Sequence, residues 1–75
     1  NNLPRQPEIF PISDGSIQLE WEKENGEYLE ITATTDDVWE VFQLDVAENE
    51  KNGQINADSS LIKALIERFY ADGLR

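Results

Sequence analysis

Five glutamates stand within one short stretch of this chain, and they are the side chains with the clearest chemical potential: Glu20, Glu22, Glu24, Glu27 and Glu30. Carboxylates this close together can share a proton, hold a cation or meet a basic protein surface. A carboxylate pair that hydrolyses a glycoside needs a walled cleft and a substrate platform, and a 75-residue chain has little room for either. The sequence therefore favours binding over hydrolysis at these residues.

The chain lacks the side chains that most other kinds of catalysis require. The chain contains no His and no Cys, which removes the imidazole base, the thiolate nucleophile and the common zinc ligands. Its serines have no such base to activate them, and the sequence contains no glycine-rich phosphate loop. We expect no catalytic residues and no cofactor, and hence a protein that is not an enzyme.

A β-hairpin is the element expected to position the glutamates. Residues 16–22 and 28–34 each alternate apolar and polar side chains, and the Asn25-Gly26 dipeptide between them suits a tight hairpin turn. The inward side chains that fit a core are Ile17, Leu19, Trp21, Leu29, Ile31 and Ala33. The outward face then carries Glu20, Glu22, Tyr28, Glu30 and Thr32.

An aromatic side chain among these carboxylates favours a docking surface. Tyr28 lies among Glu20, Glu22 and Glu30, and an aromatic residue amid charge is typical of an interface hot spot. Like charges this close cost stability unless a cation or a basic partner lies opposite. We predict that these residues and Thr32 bind a basic protein, the alternative being a solvated acidic face.

The net charge of −10 is concentrated in the first two thirds of the chain. Between Glu8 and Glu50 thirteen Asp and Glu residues stand against one Lys, whereas residues 51–75 are close to neutral. Such a field repels nucleic acid and anionic lipid and attracts basic partners. We therefore expect no direct binding to nucleic acid or to membranes. Since no apolar run is long enough to span a membrane, we also expect a cytoplasmic protein.

The remaining elements complete an α+β fold. Residues 38–46 form a third, less regular strand, with either a bulge or two partly covered faces. A helix of about 12–14 residues follows Asp58 or Ser59 as its cap and ends near Gly73. Its apolar side chains recur at helical spacing: Leu61, Ile62, Leu65, Ile66 and Phe69. We predict a three-stranded antiparallel meander packed against one C-terminal helix.

Proline sets the predicted domain organisation. Residues 1–12 carry Pro4, Pro7 and Pro11 and are expected to form an extended N-terminal arm, because proline fixes φ and removes a donor. Residues 13–75 are then one α+β domain.

The polar segment after the third strand offers one metal-binding alternative. With Gly53 at the sixth place of an EF-hand-type calcium loop, the first, third, fifth and ninth places are Glu48, Glu50, Asn52 and Asn56. Glu replaces Asp at the first and third places, and the twelfth place lacks its carboxylate. We therefore expect a polar loop, with a calcium loop as the minor alternative.

The stretch P-x-I-x-P-x-x-DGSIQLEW … YLEI, within residues 7–31, resembles a pattern in small bacterial proteins. Those proteins share a proline-rich lead, a DG-(S/G)-IQLEW strand and a Leu-Glu-Ile strand. The resemblance implies the hairpin and a bacterial or phage origin, and it implies no activity.

Several functions fit a small acidic binding module. An antitoxin, immunity or inhibitor protein that covers a basic site on its partner suits the charge best. A nucleic-acid mimic and a structural subunit of a homo-oligomer are the alternatives. The chain begins at Asn1 and contains no Met, so we also expect a processed product or a piece of a longer protein. The sequence leaves the partner's identity and the oligomeric state open.

Overall fold

A computed structural model describes residues 6–72 of the chain. They form five strands and one helix: β1 (Glu8–Pro11), β2 (Ile17–Glu22), β3 (Tyr28–Ala33), β4 (Val38–Leu44), β5 (Glu50–Asn56) and α1 (Ser59–Asp72). The strands pair in chain order as one antiparallel meander. The α+β class with a C-terminal helix is therefore confirmed.

The predicted number of strands is wrong, because the sheet has two edge strands beyond the expected three. β1 lies inside the expected proline-rich arm and pairs with β2, since proline is tolerated at the edge of a sheet. β5 lies inside the expected polar loop and pairs with β4. The part of the arm at residues 1–5, with Pro4, lies outside the described residues.

The central hairpin is confirmed. Glu20 pairs with Glu30 and Trp21 with Leu29 in an unbroken register from one end of β2 to the other. At the turn, Gly26 has a φ of 96°, a conformation that only glycine adopts at little cost. The glycine at the turn and the alternation of apolar and polar residues in β2 and β3 therefore favour the same pairing of the two strands.

The third predicted strand is confirmed as β4, and its irregular pattern has a simple origin. Its pairing with β3 and β5 runs in register without an inserted residue. Val41 is buried in the core, whereas Phe42 and Leu44 are half-buried on the other face. Both faces of this strand are partly covered, which blurs the alternation that a one-sided strand would show.

The helix begins where the sequence predicts. The carboxylate of Asp58 accepts hydrogen bonds from the Ser60 N–H at 2.9 Å, the Ser60 hydroxyl at 2.6 Å and the Leu61 N–H at 3.2 Å. These bonds cap the first turn and hold the pKa of Asp58 below its ordinary value, the Ser60 hydroxyl contributing most. Gly73, the expected end of the helix, lies outside the described residues.

One compact core lies between α1 and one face of the sheet. Its buried apolar residues are Trp21, Leu29, Ile31, Val41, Ile62, Ile66 and Phe69. Leu61 is the exception among the expected core residues of the helix, because 45% of its surface is exposed. The buried stripe of the helix is thus narrower than the stripe of apolar residues that the sequence predicts.

Candidate protein-binding face

The sheet face turned away from α1, here called the open face, carries all five predicted partner-binding residues. Glu20 and Glu22 alternate with core residues of β2, and Tyr28, Glu30 and Thr32 alternate with core residues of β3. Because successive side chains of a strand point to opposite faces, these five side chains project together from the sheet. Their predicted placement on one face is confirmed.

A row of three carboxylates crosses the open face. Glu8 pairs with Glu20, and Glu20 pairs with Glu30, so the three stand side by side on β1, β2 and β3. Paired residues of antiparallel strands have Cα atoms about 5 Å apart. Like charges directly opposite one another destabilise a sheet. The row is therefore a local concentration of negative charge that opposes folding.

Glu8 was missed as a site residue because the prolines around it predict an arm and not a strand. The alternation of Glu8, Ile9 and Phe10 is too short to reveal a strand by itself. The usable signal was that proline is compatible with an edge strand. A strand here would have placed Glu8 beside Glu20.

Two neutral donors hold two of the three glutamates of the row. The Tyr28 hydroxyl donates to Oε1 of Glu30 at 2.8 Å, and the Gln18 side-chain amide donates to Oε2 of Glu20. Burial, followed by the carboxylates of Glu30 and Glu20, raises the pKa of Tyr28 far above its ordinary value. Tyr28 therefore stays a neutral donor throughout the physiological range.

Apolar and aromatic side chains border the row. The ring of Phe42 meets that of Tyr28 edge to face, with centroids 6.2 Å apart and planes at 66°. Phe42 pairs with Glu30, and Leu44 pairs with Tyr28. The open face therefore combines carboxylates with a half-buried apolar margin, as interface hot spots do.

No Lys or Arg among residues 6–72 shares the open face with these carboxylates. Lys23 is held at the hairpin turn, 2.7 Å from Oε1 of Glu27 and 4.4 Å from the ring centroid of Phe69. Lys63 and Arg68 lie on α1, and Lys51 alternates with the open-face residues of β5. Within the described part of the chain, no cation on this face offsets the charge of the row, and its carboxylates are stabilised by neutral hydrogen-bond donors and solvent.

A small cleft opens where β2 extends beyond β1. Its volume is about 290 Å³, and its lining includes Glu8, Glu20, Glu22, Tyr28 and Tyr70. Three carboxylates and two phenol rings around a space of this size suit a guanidinium or ammonium group, which pairs with carboxylates and stacks on aromatic faces. Because Tyr70 belongs to α1, the cleft lies at the border of the open face, where its carboxylates meet the helix side of the sheet.

The alternative of an EF-hand-type calcium loop is wrong in its geometry. Glu50, Asn52 and Asn56 belong to the extended strand β5, and Glu48 belongs to the turn before it. An extended strand cannot wrap its side chains around one ion as a twelve-residue loop does. Within residues 6–72, no group of three or more acidic side chains is arranged to hold a metal ion.

Comparison of the chain with protein families, with curated proteins and with solved structures finds no match. Within residues 6–72, no helix has the length and apolar character that crossing a bilayer demands.

Proposed function

We propose that this chain is a non-enzymatic binding module whose open face docks onto a basic site of another protein. The observation that carries the proposal is the row of Glu8, Glu20 and Glu30, which crosses three strands without a cation among the described residues of that face. Cross-strand repulsion of this kind lowers the stability of a small domain. A basic partner would relieve that repulsion, and its relief adds to the binding free energy.

The arrangement supports an arginine-rich or lysine-rich partner site. A cationic side chain that enters the cleft beside Glu20 and Glu22 meets carboxylates and the ring of Tyr28. Complementary charge accelerates encounter, and the apolar margin of Phe42 and Leu44 supplies contacts that do not depend on salt. An antitoxin, an immunity protein or an inhibitor of bacterial or phage origin would use a surface of this kind.

Capture from a bacterial lysate tests the class of partner. The immobilised chain is exposed to lysate at about 50 mM and about 500 mM NaCl, since salt screens exposed charges. We expect a basic protein to be retained at the lower salt and released at the higher. A bait with Glu20→Lys and Glu30→Lys should retain nothing, whereas a control bait with Glu48→Lys and Glu67→Lys, which has the same net charge, should keep the partner.

Added DNA separates the proposed inhibitor from a nucleic-acid mimic. A mimic occupies the nucleic-acid channel of its target, so double-stranded DNA displaces it from the captured protein. A protein that covers another basic site stays bound in the presence of DNA. Equal capture by the two charge-reversed baits, or an empty bait at both salts, contradicts the proposal that the open face binds a basic partner.

A further inference from the structure

The β1 edge of the sheet is blocked against pairing with another strand. The Ile12 N–H donates to the Ser16 carbonyl at 2.9 Å, and bonded pairs alternate along an antiparallel ladder. In the register of β1 on β2, Glu8 and Phe10 therefore bond to β2, and the backbone groups of Ile9 and Pro11 point away from the sheet. Pro7, two residues before Ile9, occupies the next outward position. Since proline has no N–H, two of these three outward positions cannot donate a ladder hydrogen bond.

The β5 edge carries no such block. Two backbone hydrogen bonds define which residues of β5 bond to β4. The Asp45 N–H donates to the Asn49 carbonyl at 3.2 Å at one end, and the Ala57 N–H donates to the Asp37 carbonyl at 2.7 Å at the other. Every second residue of β5 between these ends therefore bonds to β4. That alternation turns four backbone N–H and C=O pairs outward, those of Glu50, Asn52, Gln54 and Asn56. A seven-residue edge strand without proline is a template for another strand.

An apolar groove runs beside this edge, between β5 and α1. Its volume is about 350 Å³, and its lining includes Gly53, Ile55, Leu61, Ala64 and Leu65. A Cβ placed on Gly53 would meet nothing within 4 Å, and Leu61 is 45% exposed. Uncovered apolar surface therefore adjoins the open strand edge.

The charge of this region is close to balanced, in contrast to the strongly acidic rest of the chain. Lys51 and Arg68 line the groove. Across β5 and α1, three Lys and Arg residues stand against three Asp and Glu residues, although the chain carries a net charge of −10. A second copy of the chain thus meets less repulsion here than at any acidic surface.

We propose that two copies of the chain pair through β5, antiparallel about a two-fold axis at Gly53, and form one continuous sheet. In this register, Asn52 exchanges backbone hydrogen bonds with Gln54 of the second copy. Glu50 lies opposite Asn56, so no two carboxylates face each other. The two grooves meet across the axis and cover Leu61 of both chains. The prolines of β1 prevent further addition, so assembly closes at a dimer and leaves the open face free.

Sedimentation velocity from about micromolar to about millimolar protein measures the assembly, because the dimer fraction follows mass action. We expect a concentration-dependent rise from the chain mass of 8.6 kDa to twice that value and no further. Asn52→Pro removes an outward N–H that β4 does not use, and should raise the dissociation constant at least about tenfold. Ile9→Pro makes the same change at the blocked edge and should leave the constant within about twofold.

Spectroscopy and hydrogen exchange separate a loss of pairing from a loss of the fold. Far-ultraviolet circular dichroism and tryptophan fluorescence, to which buried Trp21 and half-buried Trp39 both contribute, report whether each variant keeps its fold. Hydrogen exchange at the Asn52 and Gln54 amides should slow as the protein concentration rises. A chain that stays monomeric at every concentration overturns the proposal and leaves the edge to a different chain. Growth beyond the dimer, or equal effects of Asn52→Pro and Ile9→Pro, overturns the two-fold pairing through β5.

Discussion

The hydroxyl of Tyr28 lies 2.8 Å from Oε1 of Glu30, two residues further along the same strand and on the same face. The ring of Tyr28 meets Phe42 edge to face on the neighbouring strand. One side chain therefore joins the acidic row of the open face to its apolar margin. The roles of the hydroxyl and of the ring can be separated by substitution.

Removal of the Tyr28 hydroxyl should lower stability while leaving the aromatic contact in place. We expect Tyr28→Phe to cost about 1 kcal/mol, less than is usual for a bond to a charged acceptor, because both side chains are half exposed. Urea unfolding of Tyr28→Phe, Glu30→Gln and the double variant gives the coupling between the two side chains. A coupling energy of zero would show that the hydrogen bond does not form in solution.

The raised pKa of Tyr28 predicts a loss of stability at alkaline pH. Burial and the carboxylates of Glu30 and Glu20 disfavour the tyrosinate in the folded chain, whereas an unfolded tyrosine ionises near pH 10. The folded state binds this proton more tightly, so its contribution is intact below about pH 10 and is lost as the pH rises above that value. Thermal unfolding between about pH 8 and about pH 11 should show this loss, and Tyr28→Phe should reduce it.

Neutralising one glutamate of the row should stabilise the chain. Glu20→Gln removes the like-charge contacts with Glu8 and Glu30 and keeps an oxygen acceptor, so we expect a gain of about 0.5 kcal/mol. Glu67→Gln on α1 is the matched control for net charge and should change the free energy of unfolding by less than about 0.3 kcal/mol. Equal gains in the two variants would mean that only the net charge matters.

Two apolar residues of α1 should respond very differently to truncation. Ile66 is fully buried, and Ile66→Ala should cost about 3 kcal/mol because it leaves a cavity. Leu61 is 45% exposed, and Leu61→Ala should cost less than about 1 kcal/mol when measured at a concentration where the chain is monomeric. Similar costs at both positions would contradict the orientation of the helix.

The elements that bury one regular face could be predicted from the sequence. Leu19 and Trp21 alternate with polar residues and pack in or against the core, although the expected inward residue Ile17 is 42% exposed. Asp58 precedes a helical run of apolar residues. These features established the hairpin, the helix and the shared face of the five predicted binding residues. Local signals were sufficient because each element carries its own apolar pattern.

The two edge strands could not be predicted by the same reasoning. Of β5, only Ile55 is even partly buried, so the strand has almost no apolar alternation to reveal it. The prolines that mark β1 as an arm are the same prolines that block its outer edge. Glu8 was therefore missed, and with it the full width of the acidic row. Each edge strand is held by pairing with its neighbour along the chain, β1 with β2 and β5 with β4, and this backbone pairing leaves no apolar pattern in the sequence.

The most direct test of the proposed function is the binding of a short poly-arginine peptide to matched charge variants, measured by NMR titration. We expect chemical-shift changes centred on Glu8, Glu20, Glu22 and Glu30. Glu20→Gln with Glu30→Gln should weaken binding about tenfold, and Glu48→Gln with Glu67→Gln, which changes the net charge equally, should weaken it less than about twofold. Equal weakening by the two pairs, with shifts spread over the whole surface, would contradict a specific basic-partner site on the open face.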